Sequence, residues 1–141
     1  MKNPKLSPEE YRKILEKIEL KNLSLIESKS KIDHQYHAQK LELIINDKNT
    51  FETAEDELTV FCKYTFKAKG AEKEKPLVDI MVRFQLVYDL KGKADITQDF
   101  FEIYEEMSLG FIVWPYFREF IQNTLARMNL PPLTLPMRKI G

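Results

Sequence analysis

Leu109–Pro136, LGFIVWPYFREFIQNTLARMNLPPLTLP, decides how the rest of the chain is read. It holds the only Trp of the sequence and four of its seven Pro, at positions 115, 131, 132 and 136. Gly110 permits a backbone break that other residues resist. Pro115 can open a helix, because a missing N–H costs nothing in the first turn. From there Phe117, Phe120, Ile121, Leu125 and Met128 recur every three or four residues and form one apolar face. Arg118, Glu119, Gln122 and Arg127 fill the other faces, and Asn129 with the Pro131–Pro132 pair stops the helix. The pattern predicts an amphipathic helix that covers a sheet.

The sheet is found upstream. Leu58, Val60, Cys62, Tyr64, Phe66 and Ala68 alternate with polar neighbours, and so do Val78, Ile80, Val82, Phe84, Leu86, Tyr88 and Leu90. The charged connection KGAEKEKP at 69–76 predicts a hairpin with a solvated tip. Two strands with one apolar face each predict an antiparallel sheet covered on one side. Weaker alternation predicts a first strand over residues 20–32, with a bulge near Asn22. Residues 40–46 read as a second short strand or an extended crossover, and Asn46–Glu57 as an acidic loop.

Helices bracket this core. Ser7-Pro8-Glu9-Glu10 combines an N-cap, a Pro at the first helical position and a capping-box Glu. Tyr11, Ile14, Leu15 and Ile18 follow as a narrow apolar stripe. Thr97 caps a later helix carrying Phe100, Phe101, Tyr104 and Met107, which with the Pro115 helix forms either two helices or one broken at Gly110. The order is α+β: a four-stranded antiparallel sheet with helices on one face, in a single domain spanning 1–141.

Composition narrows the function. Lys plus Arg equals Asp plus Glu, at 22 each, so bulk charge gives no reason to expect nucleic acid. Cys62 is the only cysteine, which excludes an intrachain disulfide framework and fits a reducing, cytoplasmic setting. The N-terminus MKNPKLSPEEYRK lacks the apolar core of a signal peptide, and Phe111–Trp114 is far too short to span a membrane.

Candidates for chemistry are weak. His34 and His37 sit in a polar connector with no third ligand at metal-site spacing. Asp47, Glu52, Glu55, Asp56 and Glu57 lack the ligand pattern and Gly of a calcium loop. Cys62 falls on an apolar strand face without a positioned His. The four glycines form no phosphate loop. Neither catalysis nor a cofactor is expected. Arg118 and Glu119 read as structural, fixing how their helix seats on the sheet or on a neighbouring subunit.

The run Trp114-Pro115-Tyr116-Phe117-Arg118-Glu119, followed by the Pro132-Leu133-Thr134-Leu135 exit, resembles the signature helix of SecB-like chaperones. The resemblance is tight over Leu109–Leu135 and loose elsewhere. It implies a dimer of dimers that binds unfolded polypeptide along apolar grooves, without nucleotide, and so acts as a holdase. It implies that Trp114, Pro115, Tyr116, Arg118, Glu119, Pro132, Leu133 and Leu135 are structural motif positions. In that family the long crossover after the first strand helps line the groove. Here this corresponds to about Asp33–Glu57, making Tyr36, Leu41, Leu43, Ile45 and Phe51 candidate client contacts. Ordinary packing under a loop is the competing role for the same five residues.

The chain departs from the family's longer members, which continue into another helix and a polar tail. It ends at Gly141, and Lys21-Asn22-Leu23-Ser24-Leu25-Ile26 shows none of the acidic surface that receives the SecA motor. SecA docking is therefore not favoured, and the branch that includes chaperones of toxin–antitoxin systems is the better resemblance. Clients are then exported precursors or a dedicated antitoxin. The competing readings are a small-ligand-binding or enzymatic α+β domain, with an enclosed polar pocket, and a purely structural oligomerisation module.

Overall fold

The structure, a computed structural model, describes residues 6–92 and 94–131. In chain order they form α1 (Pro8–Leu15), β1 (Ile18–Ile32), β2 (Glu42–Thr53), β3 (Glu57–Lys69), β4 (Val78–Leu90), α2 (Gln98–Tyr104) and α3 (Gly110–Arg127). The strands make one antiparallel sheet in the order β1-β4-β3-β2. β1 and β2 are consecutive in sequence yet lie at opposite edges. The chain between them must therefore cross the ends of the two central strands, and its one regular turn is His34–Tyr36.

The central strands follow their alternation. Along β3 and β4 every second residue is buried, and these faces meet Phe100, Tyr104, Leu109, Val113, Phe117 and Ile121 of the helices in one core. Phe117 is fully buried, and its ring stacks on Tyr64 at 4.4 Å and 15°. The hydroxyls of Tyr88 and Tyr104 satisfy each other at 2.8 Å, which keeps two polar atoms tolerable inside apolar packing. Among the described residues, the opposite face of the sheet carries no helix. The expected α+β layout is the observed one.

Local signals also hold. The Ser7 hydroxyl accepts from the Glu10 N–H at 3.1 Å, closing the capping box, and the Thr97 hydroxyl accepts from the Phe100 N–H at 3.1 Å. The irregularity expected near Asn22 is a register shift between Leu20 and Asn22, and a second shift lies between Leu25 and Glu27.

Three expectations are corrected. Ile18 belongs to β1, opposite Leu90, rather than to the helical stripe. The segment read as an acidic loop is mostly strand: β2 runs to Thr53, paired with β3 from Glu42↔Lys69 to Thr53↔Leu58. An edge strand needs few apolar side chains, because its neighbour's backbone supplies the ordering bonds. Pro115 lies inside α3 rather than at its start, and Gly110 is no break. α2 passes into α3 through a π-turn at Glu105–Leu109. Pro115 and Phe111 are both exposed, so the helical bond lost at Pro115 falls on the side where water can meet the Phe111 carbonyl.

Candidate functional site

An apolar groove of about 300 Å³ opens on the helix-bearing side of the sheet, beside edge strand β2. Leu41 and Leu43 form one wall, Phe66, Ala68 and Val78 the floor, and Leu125, Leu130 and Pro131 the other wall. Gln39 is the single polar side chain at its rim.

The helical wall is set by how α3 ends. Asn129 adopts the left-handed conformation, with φ 61°. The Leu130 N–H then bonds the Leu125 carbonyl, and the Asn129 N–H bonds the Ala126 carbonyl, each at 3.1 Å. This is the Schellman turn, which characteristically brings the residue after the reversal against one in the last helical turn. Here those residues are Leu130 and Leu125. Alternation along β2 turns Leu43 towards the same side, opposite Ala68. Leu41 and Leu43 remain 36% and 40% exposed. The groove is thus apolar, accessible, and bordered by a strand that, among the described residues, pairs on one side only.

Of the five candidate contacts, Leu41 and Leu43 come together here. Ile45 is half-buried against the core. The ring of Phe51 lies 4.6 Å from that of Phe101 and closes the far end of the sheet. Tyr36 lies in a separate shallow concavity with Lys31, Asp33, Lys75, Pro76 and Asp79. Leu125, Leu130, Phe66, Ala68 and Val78 were not anticipated as groove residues. Asn129 was the one available signal, since an Asn after a helix favours the reversal that places Leu130.

The motif positions divide. The Trp114 ring lies 5.4 Å from Phe117 and 6.2 Å from Tyr64, so it extends the core. Pro115 and Tyr116 are exposed. Arg118 is half-buried; Glu119 is exposed and accepts from Asn123 one turn along the same helix. Pro132, Leu133 and Leu135 lie outside the described residues.

His34 and His37 are exposed on the crossover. Among the described residues, no three His, Cys, Asp or Glu side chains gather as metal ligands, and no helix is long and apolar enough to cross a membrane. Burial pushes the Cys62 thiol up to about 12, and the Asp47 and Glu105 carboxylates add to the rise. At pH 8 only about one molecule in ten thousand then carries a thiolate. Cys62 is therefore expected to resist a thiol reagent in the native protein and to react fully in denaturant. Rapid native labelling would show that the sheet opens locally.

No family model matches this sequence, and neither does any curated protein. Solved structures do match. The SecB-like chaperone of Mycobacterium tuberculosis, in complex with a ChAD peptide from the HigA1 antitoxin, aligns with a TM-score of 0.76 at 17% identity. The alignment covers 93% of this chain and 94% of that one. A protein of unknown function from Streptococcus agalactiae aligns with a TM-score of 0.42 at 10% identity, over 85% of this chain and 97% of that one. The fold of the chain is SecB-like.

Proposed function

We propose that this chain is a cytoplasmic, ATP-independent holdase that binds unfolded polypeptide in the groove between β2 and the end of α3. The observation that carries the reading is the open apolar groove beside an edge strand. An unfolded client offers apolar side chains and unpaired backbone groups together. The groove supplies the apolar surface, and the free side of β2 supplies backbone partners. Such contacts depend little on client sequence, as holding requires. The chemistry is binding, without catalysis.

The antitoxin peptide held by the M. tuberculosis chaperone supports a client of the same class, an antitoxin segment, for this chain. We further propose that the working particle is a dimer of dimers. Leu20, Leu25 and Ile26 on edge strand β1 are 39%, 47% and 42% exposed, and Met107, Phe111 and Tyr116 leave apolar surface along the helices. A second copy covering these patches removes both the open edge and the exposed surface. Several grooves on one particle then raise avidity for a long client.

Light-scattering mass measured alongside aggregation of a chemically denatured client tests this reading. The expected result is a particle of four times the protomer mass that suppresses aggregation without nucleotide. A monomer that leaves client aggregation unchanged would refute it.

A further inference from the structure

The side of the sheet that no helix among the described residues covers carries a second, chemically opposite surface. Lys48, Lys63 and Arg83 stand directly across from one another on β2, β3 and β4, forming a row of three positive charges. Glu27 on β1 ends the row, 3.3 Å from Arg83. Lys29 lies one step along, opposite Met81. The Arg83 guanidinium sits 6.0 Å from the centre of the Phe61 ring. Together these side chains line a concavity of about 390 Å³, with four cations against one carboxylate in a chain whose total charge is zero.

Like charges placed directly across strands destabilise a sheet. In this row only Arg83 meets an opposite charge, from Glu27. Among the described residues, no ion pair involves Lys48 or Lys63.

We propose that this basic half of the uncovered face docks a short acidic segment of a partner polypeptide. Carboxylates would meet Lys48, Lys63 and Lys29 in charge-assisted hydrogen bonds, and an apolar residue would rest on Phe61 and Met81. The sheet itself limits the length of the partner. Four residues along β3 from Lys63 in one direction, Asp79 interrupts the positive charge between Lys67 and Lys31. Six residues in the other, about 20 Å at strand rise, stands the row Glu57, Asp89 and Glu19, with Lys21 and Lys91 paired to its carboxylates. A long polyanion such as nucleic acid would run into that row; a short acidic peptide ends before it. The surface lies opposite the apolar groove and does not depend on the holdase reading.

Fluorescence anisotropy on the full chain tests this with three labelled probes: an Asp/Glu-rich peptide carrying one Phe, its Asn/Gln counterpart, and a thymidine oligonucleotide. The acidic peptide is expected to bind at least about tenfold tighter than the neutral one at low salt, and to weaken as salt is raised. K48E/K63E is expected to lose at least tenfold in this binding, and the milder K48Q/K63Q to lose less. Both variants should stay folded, which thermal melting of each checks. Equal binding of the two peptides, tighter binding of the oligonucleotide, or binding unaffected in both folded variants would overturn the proposal.

Discussion

Replacing Leu41 and Leu43 together by Asp is expected to abolish protection of an unfolded client while leaving the thermal midpoint of the chain nearly unchanged. Both side chains are more than a third exposed in the folded protomer, so little native packing is lost. Substitutions at such positions usually shift stability by no more than about 0.5 kcal/mol. For the client the balance is different. Fully burying a large apolar side chain is worth roughly 1.5–3 kcal/mol. A client covers only the third or so of Leu41 and Leu43 that is still exposed, so the two together account for about 1–2 kcal/mol. That corresponds to about five- to thirtyfold in affinity, and the cost of burying two carboxylates against an apolar partner adds to the loss. Client aggregation and thermal melting measured on the same preparation separate the two effects. Full protection by a folded L41D/L43D variant would remove the groove as the client site. Tyr36→Ser should weaken protection less, because Tyr36 lies in a different concavity. Phe51→Ser is a poor probe, since it also removes the ring packed on Phe101.

Phe117→Ala is expected to destabilise the protomer by about 3–5 kcal/mol, the usual cost of emptying a fully buried aromatic site. Phe117 has no exposed surface and stacks on Tyr64, with the Trp114 ring 5.4 Å away and also near Tyr64. Little can collapse into the space, because the rigid sheet forms its floor. The loss is a large part of the roughly 5–15 kcal/mol that holds a domain together. A denaturant titration measures it, with the midpoint falling sharply and the slope unchanged. Tyr116→Ala, one residue earlier and 51% exposed, should change protomer stability by no more than about 0.5 kcal/mol. A cost below about 1 kcal/mol for Phe117→Ala would mean that α3 is not anchored on the sheet through this side chain.

The readable parts of this chain were those in which each residue's role repeats at a fixed period. β3 and β4 are central strands with one face against the helices, so burial repeats at every second residue from Leu58 to Leu90. The Ser7 and Thr97 caps were readable because a cap is a bond between neighbours three residues apart. β2 beyond Asn46 was not readable. Its Asp47, Lys48, Asn49 and Glu52 resemble a loop, and only the β3 backbone alongside makes them a strand. Pro115 misled for a related reason. Its preference for a first turn is local, and the packing of Val113 and Phe117 on the sheet overrides it.

The sequence by itself determined the α+β class, the apolar faces of the central strands, the caps, and the presence of Leu41 and Leu43 as alternating apolar residues after the first strand. It could not determine that they face Leu125 and Leu130. That groove belongs to no one segment: it lies where the end of the crossover, the ends of three strands and the reversal at Asn129 converge. The row of Lys48, Lys63 and Arg83 is likewise made by strand register. Periodicity fixes which way a side chain points along its own element, but which side chains become neighbours across elements is settled only when the whole sheet and its helices pack.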